Sequence, residues 1–323
     1  LTQGISIVIC CYNSRFRLEP TLTHLARLKR DDILVEVILV DNQSTDDTAQ
    51  FGQKVWAELG QPFPMILVDE QKQGLSFARH SGVSNSSFDL IVFCDDDNWL
   101  EANYLMEAKT IMESQVNIAA LGGYGIAAAE VELPDWFETY KGGYAISDDS
   151  VKSGILPEET YLTGAGLVFR KALYLKAFDN LPSLLKDRAG SQLSSGGDTE
   201  ICLRFRLMGY DLWFDTRLKF QHFVPKERLT VAYRDRLFDG FKIHATIIEY
   251  YQKLLWAKNT NGLTKIKTII IIAFKLPFTS LNLIKRWNLE RDLTTLYVLV
   301  GINFIKLPEP WIHLYKLSKS KPF

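Results

Sequence analysis

Residues 93 to 100 read FCDDDNWL, three carboxylates in succession directly after an apolar run. Like charges at that spacing repel one another, so something must compensate Asp95, Asp96 and Asp97. One answer is a helix start, where acidic side chains cap free N–H groups and meet the positive end of the dipole. The other is a hard divalent cation, whose preferred ligands are clustered carboxylate oxygens. Two further polar constellations also close apolar runs: Cys11-Tyr12-Asn13 after ISIVIC, and Asp41-Asn42 after VEVILV.

The elements that carry these groups alternate. Ile5 to Cys10, Val35 to Val40, Met65 to Val68 and Leu90 to Cys94 are short apolar runs that predict strands, with helices over about 18–28, 48–59 and 75–83 between them. Such continuous apolar strands predict a parallel sheet covered on both faces. Right-handed crossovers bring every strand's C-terminal end to one edge, outside which ligands of open α/β sheets bind. Three polar constellations on that edge are hard to explain as independent helix caps, which favours the cation. Further along, the pattern predicts a helix over 104–114, a strand near Ile118 to Leu121, and an irregular Gly- and aromatic-rich stretch from Gly122 to Tyr144. A TGAGLVFR segment, a polar loop from Asp187 to Gly197 and a partly buried helix opening on Asp198 follow. By position alone Asp198 is an N-cap.

A chain of 323 residues with 47% hydrophobic content holds ample core for one large α/β domain or two smaller ones. The net charge of −1 carries no nucleic-acid signature. It conceals a basic tail, since Thr264 to Phe323 has ten Lys or Arg against three Asp or Glu. Within it KIKTIIIIAFKLPFTSLNLIKR, Lys265 to Arg286, is too interrupted by Lys275 and Pro277 for a membrane span. Its flanking lysines suit an interface with anionic lipid; the competing reading packs the isoleucines against the protein. The cysteines, Cys10, Cys11, Cys94 and Cys202, form no C-x-x-C pair and read as buried thiols of a reducing compartment.

In order, CYN, VEVILVDNQSTDDT, GLSFARHSG, FCDDDNWL, TGAG and GGDTEICLRFRLMGY make the chain resemble the family 2 glycosyltransferases of GT-A fold, over about residues 5 to 225. The resemblance implies a Rossmann-like α/β fold with a mostly parallel central sheet and helices on both faces; a C-terminal helical extension is expected beyond it. It implies a catalytic domain over 1–240, with a nucleotide-sugar half to about 122 and an acceptor half from 123; residues past about 240 lie outside it and are read from their own pattern as a helical, basic region over 241–323 that engages membrane or packs on the domain. Cys11, Tyr12 and Asn13 would line the base and ribose pocket, Asp41 would accept from the base, and Arg79 would sit near the donor. Asp95 and Asp96 would bind the donor, Asp95 through its ribose. Asp97, the last residue of the D-x-D motif, would hold a Mn²⁺ or Mg²⁺ ion on the diphosphate. His222 is implied as a second ligand, against the alternative of a packed histidine among aromatics. Gly164, Ala165 and Gly166 would approach sugar and acceptor with bare backbone, and Asp198 would be the catalytic base, with Glu200 the first substitute to examine. Apart from the resemblance, Trp99, Trp136 and Trp213 are candidates for shaping a sugar pocket, against core packing as the default for any single Trp.

The activity implied is metal-dependent, inverting hexosyl transfer from a nucleotide-diphosphate sugar, most often a UDP-sugar, to a saccharide or lipid-linked acceptor in polysaccharide or glycolipid assembly. The expected location is cytoplasmic, peripheral on the inner membrane face if the tail engages lipid. Two positions depart from the family pattern: His80 stands where Asn is common, and Gly197 replaces the Glu that often precedes the catalytic Asp. No Q-x-x-R-W segment follows Asp198, and Lys285-Arg286-Trp287 lacks the Gln, so single-sugar addition is expected rather than polymerisation. A nucleotidyltransferase would need an N-terminal Gly-rich phosphate loop that is missing here. The alternative, an inactive nucleotide-sugar-binding paralogue, stays open, with the presence of both Asp97 and Asp198 arguing against it.

Overall fold

A computed structural model describes residues 4–178, 181–185, 187–188, 196–275, 292–296, 298–299 and 309–319. Strands β1 (Gly4–Cys11), β2 (Leu34–Asp41), β3 (Met65–Asp69) and β4 (Leu90–Phe93) run parallel in the order β3-β2-β1-β4. Alternation along β1 and β2 sends Ile5, Ile7, Ile9, Val37 and Leu39 to one face, where they are buried with Leu18, Leu22 and Leu25 of α1 (Arg15–Ala26). On the other face α3 (Leu75–Ser84) packs so closely that a Cβ at Gly82 would lie 2.3 Å from Val8. A buried polar pair survives between the strands. Ser6 Oγ donates to Glu36 Oε1 at 2.6 Å, and Glu36 also accepts from the Ser87 N–H at 2.5 Å, so neither is unsatisfied.

Strands β5 (Asn98–Leu100), β6 (Ile118–Ala129), β7 (Gly154–Ile155), β8 (Val168–Arg170) and β9 (Asp211–Val224) bring the described sheet to nine strands, ordered β3-β2-β1-β4-β8-β6-β9-β5 with β7 on β9. β8 is antiparallel to β4 and β6, β9 is parallel to β6, and β5 is antiparallel to β9. The stretch read as irregular from Gly122 is therefore, up to Ala129, the continuation of β6. Its glycines serve close approach: a Cβ at Gly123 would lie 2.3 Å from the Leu218 carbonyl oxygen, and the register shifts just there.

Two compact units are present. The first, Leu1–Phe205 with Tyr210–His244, holds the sheet and also α2 (Thr48–Glu58), α4 (Tyr104–Ser114), α5 (Phe137–Tyr140), α6 (Lys171–Phe178), most of α7 (Gly197–Leu207) and α8 (Val231–Lys242). In the second, Arg206–Gly209 with Ala245–Phe323, α9 (Ala245–Asn259) stacks Tyr250 on Trp311 at 4.2 Å between ring centroids. Helix α10 (Gly262–Lys275) exposes Leu263, Ile266, Ile270 and Ile271. Among the described residues no helix is long and apolar enough to cross a membrane. Residues 276–286 of the tail segment, Trp287, and 189–195 of the polar loop lie outside the described residues.

Candidate functional site

The acidic cluster caps no helix. It forms the turn between β4 and β5, closed by the Asn98 N–H on the Asp95 carbonyl at 3.0 Å, while the next helix starts at Tyr104. The turn fans the carboxylates toward different cations. Asp96 accepts from Ser14 and from Arg17 Nη2 at 2.6 Å on the α1 side. Asp97, almost fully buried, pairs through Oδ2 with Arg228 Nη1 at 2.9 Å and through Oδ1 with His222 Nε2 at 3.4 Å. Burial pushes the Asp95 carboxyl up, and Asp97 adds to this, while Arg79 opposes it. That is how three adjacent carboxylates are tolerated.

His222 reaches Asp97 because β5 and β9 pair with Asn98 opposite His222, the Phe223 N–H donating to the Asp97 carbonyl at 2.9 Å. Its Nδ1 lies 2.6 Å from the Tyr144 carbonyl oxygen, which can only accept, so Nδ1 carries a proton and Nε2 is turned to Asp97. Burial alone would lower the imidazole pKa; the neighbouring Asp97 carboxylate outweighs it, and the net direction is upward. For Asp97 burial works upward too, but His222 and Arg228 hold the carboxyl far below the ordinary range.

Asp198 lies in the first turn of α7, where its Oδ1 accepts from the N–H of the next residue, Thr199, at 2.9 Å. Its Oδ2 accepts from the Gly164 N–H, also at 2.9 Å, which turns the group toward the cavity. Glu200 is not available as a substitute. It is fully buried, paired with Arg204 at 2.7 Å and accepts from the backbone N–H groups of Leu184 and Leu185. Arg79, on α3, pairs with Asp187 at 3.4 Å and lies over the Phe93 ring.

One cavity of about 540 Å³ gathers much of this. Of the residues singled out from sequence, Cys11, Tyr12, Arg79, Asp95, Asp96, Asp97, Gly164, Ala165, Asp198 and His222 line it. Four do not. Asn13 accepts from the Thr45 N–H, Asp41 from the Ser44 N–H, and Gly166 accepts from Tyr104 Oη at 2.5 Å. Trp99 is stacked between His24 and Phe223, at 5.5 and 5.6 Å. The sequence reading omitted Arg17, Arg228, Asp187 and the pair Phe238 and Phe241 on α8, all of which border the cavity. Asn42 also lines it and shapes its wall, donating to the carbonyls of Glu70 and Lys72 and accepting from the Gly74 N–H. Cys11 and Cys94 are buried free thiols whose pKa values burial pushes well up, in keeping with packing rather than nucleophilic roles.

The donor set suits a divalent cation that takes few protein ligands. Asp97 offers a carboxylate oxygen and His222 a nitrogen oriented by the Tyr144 carbonyl on the far side of the ring, and Mg²⁺-like ions complete their coordination with phosphate and water. Among the described residues no group of three or more His, Cys, Asp or Glu side chains is placed to hold a metal ion.

The sequence model of Glycosyl transferase family 2 matches residues 6–172. Among curated proteins, the chain is 28% identical over 127 residues to the glycosyltransferase GlyA of Streptococcus pneumoniae, covering 39% of this chain and 18% of that protein. It is 27% identical over 109 residues to the poly-beta-1,6-N-acetyl-D-glucosamine synthase of Staphylococcus aureus, covering 32% of this chain and 25% of the synthase. The matches thus span less than a third of these relatives' length. Among solved structures, S. aureus TarS 1–349 in complex with UDP-GlcNAc aligns with a TM-score of 0.54 at 15% identity, over 98% of this chain and 88% of that one. The mannosyltransferase PcManGT from Pyrobaculum calidifontis, in complex with GDP-Man and Mn²⁺, aligns with a TM-score of 0.55 at 17% identity, over 98% and 85%. At such identities the likeness is one of fold, the GT-A architecture expected from the sequence.

Proposed function

The chain belongs to glycosyl transferase family 2, and from that premise we propose that it moves one sugar from a nucleotide-diphosphate sugar to an acceptor hydroxyl with inversion. The observation that carries this is a single cavity bordered by the Asp97–His222 pair and by Asp198. The donor would place its nucleoside along Cys11, Tyr12 and Asn42 at the C-terminal ends of β1 and β2. Its diphosphate would face Asp97, with the guanidinium groups of Arg17 and Arg228 adding fixed positive charge where negative charge accumulates. A divalent cation held by Asp97 and His222 would neutralise the departing diphosphate. Asp198 would take the acceptor's proton as the acceptor oxygen bonds to the anomeric carbon and the bond to the diphosphate breaks. Phe238, Phe241 and Tyr144 give the far wall an aromatic surface suited to the apolar face of an acceptor sugar.

UDP is the nucleotide we propose, as the family resemblance implies; of the two neighbours of like fold, TarS binds UDP-GlcNAc and PcManGT binds GDP-Man. Saccharide assembly is favoured by the synthase relatives. The exposed aliphatic face of α10, with Lys267 among its isoleucines, supports a peripheral contact with anionic lipid and so a lipid-linked acceptor. Incubation with a panel of nucleotide sugars, with Mn²⁺ or EDTA, tests the core of the reading. Release of nucleoside diphosphate from one donor, dependent on the cation, is expected. No release from any donor, with or without acceptors, would sink it.

A further inference from the structure

We propose that Asp187 is a positioning residue for the proposed base: acting through Arg79 and Gly164, it fixes the carboxylate of Asp198. This rests on the transferase reading above. The starting observation is the space beside Gly197. A Cβ built there would lie 2.1 Å from Asp187 Oδ2 and 3.3 Å from Arg79 Nη1. The volume that a side chain at 197 would enter is occupied by a carboxylate supplied from the other end of the polar loop. Asp187 and Arg79 pair at 3.4 Å with their side chains only 5% and 7% exposed, so water does little to screen them.

From Arg79 the contact passes on. Its guanidinium lies 5.0 Å above the Phe93 ring, and Nη2 is 2.3 Å from where a Cβ of Gly164 would stand. The group therefore packs against bare backbone, and the N–H of that same residue donates to Asp198 Oδ2 at 2.9 Å. Arg79 also feels the negative charges of Asp95 and Asp198. With Asp187 in place the guanidinium already has a carboxylate partner. Without it, a buried cation would be left to the remaining carboxylates around it, Asp95 and Asp198, and an Asp198 drawn into an ion pair is a weaker proton acceptor. The departure of residue 197 from the family pattern then has a physical content: a carboxylate is still present beside the base, reached through space rather than along the chain.

The test is a cycle of D187A, G197E and D187A/G197E, with D187N as the shape-preserving control should D187A fold poorly. D187A should lower the thermal midpoint by roughly 5–10 °C, as expected for an unpaired buried guanidinium. G197E alone should also lower it, by collision with Asp187. The double variant should regain at least half of the D187A loss, and losses that simply add would overturn the proposal. UDP affinity by calorimetry should stay within about 3-fold in D187N, while kcat on the donor that the nucleotide-sugar panel identifies falls on the order of 10- to 100-fold. Unchanged kcat in D187N would reduce Asp187 to a packing residue and also overturn it. If wild-type protein turns over no nucleotide sugar, the transferase reading fails, whereas the thermal cycle still judges the place assigned to Asp187.

Discussion

His222 stands opposite Asn98 in the antiparallel β5–β9 pair, and that register sets its Nε2 3.4 Å from Asp97 Oδ1. A slip of one residue would send the imidazole to the other face of the sheet. The ring is held from behind by the Tyr144 carbonyl, so strand pairing and one loop hydrogen bond together convert a solitary histidine into a directed nitrogen donor.

The cation assignment is tested at Asp97. In D97N the shape remains but the charge and the ligand oxygen pair are lost. UDP binding with Mn²⁺ should weaken by about 10-fold or more, to the level wild-type protein shows in EDTA. Calorimetric titration with and without the cation reads this directly. Wild-type Mn²⁺ dependence in D97N would remove Asp97 from the site.

Asp198 is tested by D198N, which keeps an oxygen able to accept from the Gly164 or Thr199 N–H. Turnover should fall on the order of 10²- to 10⁴-fold, the usual contribution of a general base, with UDP affinity preserved. The product's anomeric configuration, read by proton NMR, should be opposite to the donor's. Because Glu200 is buried against Arg204, normal turnover in D198N would point to a carboxylate outside α7.

The pH dependence has a fixed sign. Burial pulls the His222 pKa down, Asp97 raises it more, and the folded value lies above the ordinary 6.5. A raised folded pKa stabilises fully below the unfolded value, and that contribution is lost as pH rises through the folded one. In cation-free protein, the advantage of wild type over H222Q in thermal midpoint should therefore be greatest at about pH 6 and shrink at higher pH. Added Mn²⁺ should act oppositely, its stabilising effect growing with pH as the proton leaves Nε2. A gap between wild type and H222Q that stays constant with pH would contradict the pairing.

The β1–β4 half of the sheet was legible because each strand is a continuous apolar run and because the crossovers fix where strands end. The acidic turn could thus be placed on the ligand edge from sequence alone. The second half was hidden by its own construction. Gly122, Gly123 and Gly125 allow β6 to lie close to its neighbours, yet a glycine cluster carries the local signal of a loop. Arg17 and Arg228 belong to no periodic pattern; only the approach of α1, and of the single helical turn Lys226–Arg228 that follows β9, to the acidic turn brings them to Asp96 and Asp97. Trp99 was misplaced for a related reason. Adjacent to the acidic cluster in sequence, it alternates across β5 to the side where His24 and Phe223 enclose it.

The second unit offers a separable test. Along α10, Leu263, Ile266 and Ile270 fall at i, i+3 and i+7, so they share one helix face, with Ile271 at its border. All four are exposed, from 49% to 66%, and Lys267 lies among them with Lys265 nearby. An aliphatic stripe accompanied by lysines can bury its apolar side chains at the acyl boundary while the ammonium groups meet anionic headgroups. Wild-type protein should sediment with phosphatidylserine-containing vesicles at low salt and be released as salt rises, because exposed charges are screened over a shorter distance. I266D/I270D should remain in the supernatant while binding UDP as wild type does, since neither residue borders the cavity. Cosedimentation of the double variant, or of neither protein, would remove α10 from any membrane contact and leave the transferase assignment untouched.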